Sequence, residues 1–397
     1  MPLLAASQNA TRVVEPGGQN MHVETISFQT GTGWSAPFPS MDSDQTLVLV
    51  FGAPSFVDAT GPLQALTAAF PTSKIAGCSS AGEIDDRTIR DESLSVAVIK
   101  FDKTKVKLAR ALVETGGSSY GPGENIARAL AAPDLRAVLV FSDGIAVNGS
   151  ELLRGIHSAL APTVVVTGGL AGDGSRFQHT WVLVDGKPQE RMVVGVGLYG
   201  SSVGVSHGSR GGWDIFGPER TVTRSASNVL FELDGEPALQ LYKTYLGDRA
   251  EGLPATALLF PLALRAHAGD AKTLVRTILS IDEGAQSMTF AGDLPEGSLV
   301  QLMRANFDRL IEGAGEAGRA ANSDQKGETV TVAISCVGRR LVLGERTEEE
   351  VEAAHEALPA GSKLVGFYSY GEISPHATGE CGSLHNQTMT LTSIWES

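Results

Sequence analysis

The sequence predicts an α/β protein of two related modules, in which strand–helix–strand units build mixed sheets with pseudo-symmetry. The first observation is a repeat: residues 74–84 and 363–373 align without a gap and share Lys, Gly, Ser, Gly, Glu and Ile. The second is periodicity, because short apolar runs alternate with amphipathic helical patterns. The third is composition, since 46 glycines among 397 residues favour many turns at strand ends.

Composition and charge narrow the class of protein. The formal net charge is −14 without a Lys/Arg-rich run, so we expect neither nucleic acid nor a membrane surface as partner, because both attract a concentrated basic face. The cysteines Cys78, Cys336 and Cys381 are far apart, which predicts no disulfide framework and no Cys-based metal site. No apolar run approaches membrane-spanning length and no signal-like leader is visible, so a cytoplasmic location is expected.

The first predicted module spans residues 24–218 and follows a flexible N-terminal arm, residues 1–23, which is small, polar and glycine-rich. Its first elements are a strand at 46–51, a helix at 62–70, a strand at 74–76 and two antiparallel-type strands at 94–101 and 105–113. The strand at 74–76 leads into the Gly82-Glu83 loop. A strand that ends in a glycine-bounded loop places a carboxylate and free N–H groups at the strand end.

A second copy of this unit follows in the same module. Its elements are a strand at 137–141, a helix for which Ser150 is the predicted N-cap, a strand at 163–166 and closing strands at 180–184 and 191–199. Gly172-Asp173 stands in the place of the earlier Gly-Glu pair, although the match is looser. Glycines and a proline around residues 211–218 predict the boundary between the modules.

The second module, residues 219–397, ends in a third copy of the unit. The predicted elements are strands at 228–233, 257–262 and 273–281, helices at 238–246 and between 298 and 320, a strand at 329–336, a helix opened by a Thr347/Glu350 capping box, and strands at 364–368 and from Thr388 onward. The strand at 364–368 delivers the Gly371-Glu372 loop. This recurrence of strand, helix, strand and Gly-acid loop is typical of ligand-facing loops in α/β proteins.

Three segments of the chain resemble FIST-domain proteins, the F-box and intracellular signal transduction family. Residues 77–84 resemble the N-terminal module of that family, residues 228–238 resemble the join to its C-terminal module, and residues 367–375 with 384–391 resemble the most distinctive segment of the C-terminal module. The resemblance implies a sensory module that binds a small ligand, with amino acids as the class proposed for the family. Because the sequence contains no kinase or receiver segment, a separate signalling protein such as a histidine kinase is the expected partner.

The predicted ligand wall consists of the Gly-acid loops and the polar residues near them. We expect Glu83 or Glu372 to bind a ligand ammonium group, with loop N–H groups holding its carboxylate. The alternative is that each Glu satisfies the backbone donors of its own loop. The candidate residues are Ser80, Gly82, Glu83, Gly172, Asp173, Tyr368, Ser369, Tyr370, Gly371, Glu372, His385, Asn386 and Gln387.

A haem-binding function is a second possibility, since the chain is also similar to bacterial stand-alone members described as haem-binding nitric-oxide sensors that regulate a histidine kinase. Haem iron accepts His, Cys or Tyr as axial ligand, and the candidates are His385, Tyr368, Tyr370, Cys78 and His376. His385 is the first choice, although a histidine at a strand end is more often held by a hydrogen bond.

A hydrolase is the third alternative. Ser80 and Ser369 each precede an x-Gly pair after a strand, which is half of a nucleophile elbow, but Cys78 and Phe367 stand where the first glycine of G-x-S-x-G belongs. Cys78 is the remaining candidate nucleophile. No catalytic residue is therefore predicted, and a non-catalytic sensor is favoured over an enzyme or a ligand-free scaffold.

Overall fold

The computed structural model describes residues 21–114, 116–270, 273–322, 327–376 and 380–397. Most of the predicted N-terminal arm, residues 1–20, lies outside this part of the chain, and Met21 to Val23 already belong to the first strand. Three units with the same strand order, and one β domain inserted into the third unit, make up the described residues.

Unit 1 covers residues 21–101. Its elements are β1 (Met21–Gln29), β2 (Gly33–Trp34), β3 (Thr46–Gly52), α1 (Gly61–Ala69), β4 (Lys74–Ser79), β5 (Glu83–Asp85), β6 (Thr88–Arg90) and β7 (Ser93–Phe101), with a 3-10 turn at Pro54–Val57. Strand β3 pairs in parallel with β4 and antiparallel with β7, while β1 pairs with β7. Every residue of β3 is buried, which explains its uninterrupted apolar run.

Unit 2 covers residues 105–199. Its elements are β8 (Lys105–Leu112), α2 (Tyr120–Leu130), β9 (Leu135–Ser142), α3 (Gly149–His157), β10 (Val165–Leu170), β11 (Val182–Val184), β12 (Lys187–Gln189) and β13 (Met192–Tyr199). Asn148 is the N-cap of α3, because its side chain accepts hydrogen bonds from the N–H groups of Ser150 and Glu151; the prediction of Ser150 was wrong by two residues. The strands at 94–101 and 105–113 exist but lie in different sheets.

The inserted β domain separates the first strand of unit 3, β14 (Val203–Arg210), from the rest of that unit. It contains β15 (Asp214–Ala226), β16 (Val229–Leu233), β17 (Glu236–Pro237), α4 (Ala238–Leu246), β18 (Leu262–Arg265), β19 (Leu274–Arg276), β20 (Ile278–Asp282), β21 (Ser287–Phe290) and β22 (Leu299–Arg304), with 3-10 turns at Gly247–Gly252 and Ala255–Leu259. Residues 257–259 are therefore a 3-10 turn rather than the predicted strand. The segment predicted as a helix between 298 and 320 begins with strand β22.

The remainder of unit 3 contains α5 (Phe307–Ala321), β23 (Val330–Cys336), α6 (Val337–Leu343), a 3-10 turn (Gly344–Arg346), α7 (Thr347–Glu356), β24 (Lys363–Ser369), β25 (Gly371–Pro375), β26 (Gly382–His385) and β27 (Met389–Glu396). The predicted Thr347/Glu350 capping box is wrong. Thr347 lies inside the helix and its hydroxyl donates to Arg340 and Gly344 carbonyls, while Glu350 is buried in an ion pair with Arg339.

The three units exchange hairpins in a closed cycle. Hairpin β5–β6 of unit 1 pairs with β24 of unit 3, hairpin β25–β26 of unit 3 pairs with β10 of unit 2, and hairpin β11–β12 of unit 2 pairs with β4 of unit 1. The resulting sheet orders are β12-β11-β4-β3-β7-β1-β2, β26-β25-β10-β9-β13-β8 and β6-β5-β24-β23-β27-β14. The α/β class and the mixed sheets are confirmed. The repeat is pseudo-threefold in this arrangement, and the predicted boundary at 218 falls inside β15.

Aromatic side chains fill the place where the three sheets meet. The ring of Phe51 lies 5.6 Å from Phe141 and 4.7 Å from Phe367, measured between centroids, and Phe141 lies 6.3 Å from Phe367. All three rings are fully buried. The centre of the molecule is therefore packed core, and a ligand must bind away from it.

Candidate functional site

The carboxyl ends of β4, β10 and β24 interlock around the pseudo-threefold axis. The N–H of Ala81 donates to the carbonyl of Tyr368 at 2.8 Å, that of Gly172 donates to Ser79 at 3.0 Å, and that of Tyr370 donates to Leu170 at 3.1 Å. Each bond joins one unit to another. The sequence prediction that these strand-end loops lie together agrees with this geometry.

Glu83 lies inside its own hairpin. Its Oε2 accepts hydrogen bonds from the N–H of Ser93 at 3.1 Å and from the Ser93 hydroxyl at 2.8 Å, and only 1% of the residue is exposed. Burial raises the pKa of the Glu83 carboxyl to about 8, against the lowering effect of these hydrogen bonds. Ser80 Oγ accepts a hydrogen bond from Gly82 N–H at 2.8 Å, so these two residues also serve the loop itself.

Glu372 repeats this arrangement in unit 3. Its Oε2 accepts from the N–H of Thr388 at 3.2 Å and from the Thr388 hydroxyl at 3.0 Å, while Ser369 Oγ donates to Oε1 at 2.8 Å. The carboxyl is fully buried, and burial raises its pKa to about 8. Both glutamates therefore satisfy the backbone and hydroxyl donors of their own hairpins, which is the alternative that the sequence left open.

Asp173 is not the counterpart of these glutamates. In the strand registers Glu83 pairs with Phe367, Glu372 pairs with Gly169, and Val182 pairs with Cys78. Val182 therefore holds the equivalent position in unit 2, and residues 173–180 form an insertion before Trp181, which stands in the place of Gly82. The similar Gly172-Asp173 pair misled the sequence comparison, because the extra loop residues shift the alignment.

Asp173 instead organises this inserted loop and ties it to Tyr370. Its carboxylate accepts hydrogen bonds from the N–H groups of Phe177, Gln178 and His179 at 2.8–2.9 Å and from the Tyr370 hydroxyl. Burial raises the pKa of Asp173, but these hydrogen bonds outweigh that effect and the pKa lies below its ordinary value. The ring of Phe177 stacks on that of Tyr370 with centroids 4.3 Å apart, so a ring contact and a hydrogen bond both join the loop to unit 3.

A cavity of about 380 Å³, here named the inter-unit cavity, lies beside Tyr370. Residues 144–148 of unit 2, residues 290–292 of the inserted domain and residues 336–338 of unit 3 form its walls, together with Tyr370 and Phe177. These segments follow the carboxyl ends of β9, β21 and β23. The position matches the general rule that ligands of α/β proteins bind outside the carboxyl ends of the strands.

The walls of the inter-unit cavity carry no charged side chain among the described residues. The hydroxyl of Thr277 is buried in the wall and has no hydrogen-bond partner in the described chain. Burial raises the pKa of the Cys336 thiol, which also lines the cavity, so the thiol stays protonated. Ile145, Phe177 and Leu279 are between 44% and 47% exposed at the mouth. The cavity is suited to an uncharged, largely apolar molecule.

The predicted residues 385–387 lie in the core of unit 3 rather than on a cavity wall. His385 Nε2 is 2.9 Å from the carbonyl oxygen of Ser374, and Asn386 donates to the carbonyl of His385. Gln387 adopts a φ of 60°, and its carbonyl accepts from the indole N–H of Trp213 at 2.8 Å. Its buried amide packs against Gly338 without a hydrogen-bond partner among the residues described.

The five predicted axial ligands are not arranged to hold a haem group in the inter-unit cavity. Tyr368 is fully buried with its hydroxyl on Glu350, Cys78 is fully buried, and the Tyr370 hydroxyl is held by Asp173. His385 and His376 stack with ring centroids 6.1 Å apart, and neither lines the inter-unit cavity. Of the five candidate ligands only Tyr370 reaches this cavity, and binding iron there would break its bond to Asp173.

The candidate nucleophiles of the hydrolase alternative are sealed in the core. Ser80, Ser369 and Cys78 are at most 1% exposed, and burial raises the pKa of the Cys78 thiol well above its ordinary value. Within the ranges that the structure describes, no group of three or more His, Cys, Asp or Glu side chains is arranged to hold a metal ion. No helix in those ranges has the length and apolarity needed to cross a membrane.

Comparison with known proteins identifies two family segments. Residues 46–236 match the FIST N domain and residues 238–375 match the FIST C domain, which together cover most of the chain. No curated protein matches the chain. Matches to solved structures include cyanuric acid hydrolase from A. caulinodans, at 10% identity and a TM-score of 0.20, covering 74% of this chain and 99% of that one. A likeness that weak carries no argument about fold or function.

Proposed function

Because the chain belongs to the FIST family, whose domains are associated with signal transduction and small-ligand sensing, we propose that it is a sensor that binds a small metabolite in the inter-unit cavity. The output passes through a separate signalling protein, for which a histidine kinase is the candidate that the family resemblance offers.

One observation supports this proposal above the others: the walls of the inter-unit cavity come from unit 2, unit 3 and the inserted domain. A ligand bound there contacts three parts of the chain that are far apart in sequence. It therefore favours whichever relative arrangement of these parts improves its contacts, which is the physical requirement for a ligand to shift a conformational equilibrium.

The chemistry of the walls favours an uncharged ligand over the amino acid that the sequence predicted. Burying an ammonium and a carboxylate costs several kcal/mol unless each finds a partner of opposite charge, on the order estimated for buried ions. The described walls offer neutral polar groups instead, the Thr277 hydroxyl and the side chains of Asn148 and Asn228, within a mostly apolar surface. A small, mostly apolar metabolite with one hydrogen-bonding group suits this cavity.

The inserted loop is the part of the chain that a partner protein would detect. Phe177 lines the inter-unit cavity, stacks on Tyr370 and is 47% exposed. A ligand that contacts this ring also changes the surface around it. The loop thus links the occupied cavity to a surface on which a signalling partner binds.

A thermal-shift panel tests the ligand proposal. The wild-type chain is screened against uncharged metabolites, beginning with indole and nicotinamide, and against the common amino acids. Ala291→Phe fills the inter-unit cavity, and Ala59→Phe places the same side chain at an exposed alanine outside it. We expect a ligand that raises the Tm of the wild type and of Ala59→Phe, and not of Ala291→Phe. The proposal fails if no compound binds, or if Ala291→Phe responds like the wild type.

A further inference from the structure

A second and larger cavity, here named the Arg276 cavity, has a volume of about 620 Å³. It lies between helix α3 of unit 2, strands β18 and β19 of the inserted domain and strand β26 of unit 3. It shares no lining residue with the inter-unit cavity. No predicted site residue lines it either.

The wall of this cavity contains a buried guanidinium that forms no ion pair with the residues that the structure describes. Arg276 is 4% exposed; its Nε donates to the carbonyl of Asp293 at 3.0 Å, and its Nη1 donates to the carbonyls of Val275 and Leu384 at 3.2 Å. All three acceptors are neutral, Nη2 donates to none of the described acceptors, and no described carboxylate forms an ion pair with it. A buried charge normally has a partner of opposite charge.

The nearest carboxylate is engaged elsewhere. The Asp293 side chain accepts hydrogen bonds from Arg154 at 2.7 Å and from Asn148 and Ser227 at 3.0 Å. Burial lowers the pKa of the Arg276 guanidinium to about 10 against the raising effect of the Asp293 charge, so the guanidinium remains positively charged at neutral pH. Gly292 allows this placement, since a Cβ there would lie 3.0 Å from Arg276 Nε.

The rest of the cavity determines which anion suits it. Leu153, Leu264, Leu274 and Leu384 supply apolar wall. Asp270 and Glu296 add negative charge nearer the rim, and Arg154, His157 and His267 are basic residues of the same lining. The second guanidinium of the lining, Arg154, already pairs with Asp293 and Glu151. Arg276 alone would therefore offset the repulsion that a dianion such as a phosphate monoester meets. A single negative charge on an apolar body meets both the Arg276 charge and the leucine surface.

We propose that the Arg276 cavity binds a monocarboxylate with an apolar body, whose carboxylate contacts Arg276 and whose hydrocarbon part packs on Leu153, Leu264, Leu274 and Leu384. This site is separate from the ligand site of the proposed sensor function. The chain can therefore hold two different small molecules at once.

Isothermal titration calorimetry with octanoate at pH 7 tests the proposal. Octanamide serves as the uncharged probe of the same length, and octyl phosphate as the more highly charged one. We expect octanoate to bind the wild type at least tenfold more tightly than either, because the charge-assisted bond to Arg276 is lost in one and rim repulsion opposes the other. If octanoate does not bind, or if octanamide binds equally well, the proposal is wrong.

Variants identify the site. Arg276→Met should weaken octanoate at least tenfold, and Leu274→Trp should block it while leaving Arg276 in place, so that a folding defect of the first variant does not decide the result. Arg265→Met removes a guanidinium of the same domain that is paired with Glu219 and lies outside the cavity walls. It should bind octanoate like the wild type, as should Ala291→Phe, which fills the other cavity. Wild-type affinity in both Arg276→Met and Leu274→Trp would overturn the assignment.

Discussion

Glu83 and Glu372 accept the same pair of hydrogen bonds in two different units, from the N–H and the hydroxyl of Ser93 in one and of Thr388 in the other. In each case burial raises the carboxyl pKa to about 8. The two side chains are thus neutral hydrogen-bonding parts of the repeated hairpin near neutral pH. In both units these hydrogen bonds lie within the repeated hairpin itself.

The first prediction concerns stability against pH. Between the unfolded pKa near 4.5 and the folded pKa of about 8, the folded chain retains protons that the unfolded chain has lost, so the free energy of unfolding falls as pH rises. Each carboxyl contributes up to about 1.4 kcal/mol per pH unit. Urea unfolding at pH 5.5 and 8 should show this fall in the wild type and a much smaller one in Glu83→Gln/Glu372→Gln.

Neighbouring charges shift the two carboxyl pKa values in opposite directions: Asp91 raises the pKa of Glu83, and Arg339 lowers that of Glu372. Both pKa values nevertheless stay raised. The control is Glu236→Gln/Glu352→Gln, which changes two exposed glutamates. This control should keep the wild-type pH dependence. An equal slope in the wild type and in the Glu83/Glu372 variant would contradict the assignment.

The second prediction tests the pseudo-threefold arrangement through close-packed glycines. A Cβ at Gly77, Gly168 or Gly366 would lie 1.8–1.9 Å from a carbonyl oxygen of the neighbouring parallel strand. Replacing any of them with Ala should destabilise the protein by about 3 kcal/mol or more, because the backbone of a paired strand can move away only at a large energetic cost.

The matched control for these glycines is Gly121→Ala, because no atom lies within 4 Å of the added Cβ and the residue is inside helix α2. It should stabilise the protein by about 0.5–1 kcal/mol, since Gly weakens a helix. Chemical denaturation measures all four variants. At Gly366 the close approach of the neighbouring strand is the only cause of the expected loss of stability. A change in unfolding free energy near zero for Gly366→Ala would therefore refute the packing argument.

The third prediction concerns the ion pair between Arg339 and Glu350, both fully buried, whose atoms Nη2 and Oε2 are 2.7 Å apart. Glu350 also accepts hydrogen bonds from Tyr368 and Ser335. Glu350→Gln leaves the guanidinium charge uncompensated and should cost about 3–5 kcal/mol in unfolding free energy. Tyr368→Phe should cost about 1 kcal/mol. If Glu350→Gln is as mild as Tyr368→Phe, the charge on Arg339 is compensated elsewhere.

The central strands could be predicted from the sequence, whereas their partners could not. Strands β3, β9 and β23 are almost wholly buried, so their apolar runs are continuous and unambiguous. The exchanged hairpins begin with strands of three to five residues that pair with strands of another unit. No local pattern encodes such a pairing. Helix α2 was missed because Gly121, Pro122 and Gly123 mask its period, although Gly123 permits close contact with α3.

The structure places one of the predicted site residues on the wall of the inter-unit cavity. Tyr370 does line the inter-unit cavity, while Glu83 and Glu372 do not. The sequence did not reveal Thr277, because the segment 273–281 resembles one continuous strand. In the structure Thr277 separates two strands, β19 and β20. Arg276 gave no signal, since a single arginine in a strand pattern does not reveal that it is buried. An unbroken strand with a charged residue in its middle is the one hint that could have drawn attention to it.

The last prediction concerns the contact between Tyr370 and Asp173, which joins the inserted loop to unit 3. The Tyr370 hydroxyl donates to the Asp173 carboxylate and helps to hold the carboxyl pKa below its ordinary value. Tyr370→Phe should therefore raise the pKa of Asp173 while the backbone donors of residues 177–179 keep part of the effect. An NMR titration of the side-chain carboxyl measures the shift.

The same variant should reduce stability by about 1–3 kcal/mol at pH 7, as expected for a hydrogen bond to a charged group. An Asp with a depressed folded pKa stabilises the protein above its unfolded pKa near 3.8 and loses this contribution as pH falls through the folded pKa. The difference between wild type and Tyr370→Phe should accordingly shrink in acid. Amide exchange at residues 177–179 should also become faster, because the loop has lost its bond to unit 3. An unchanged carboxyl titration with unchanged exchange would show that the stacking of Phe177 on Tyr370 alone holds the loop.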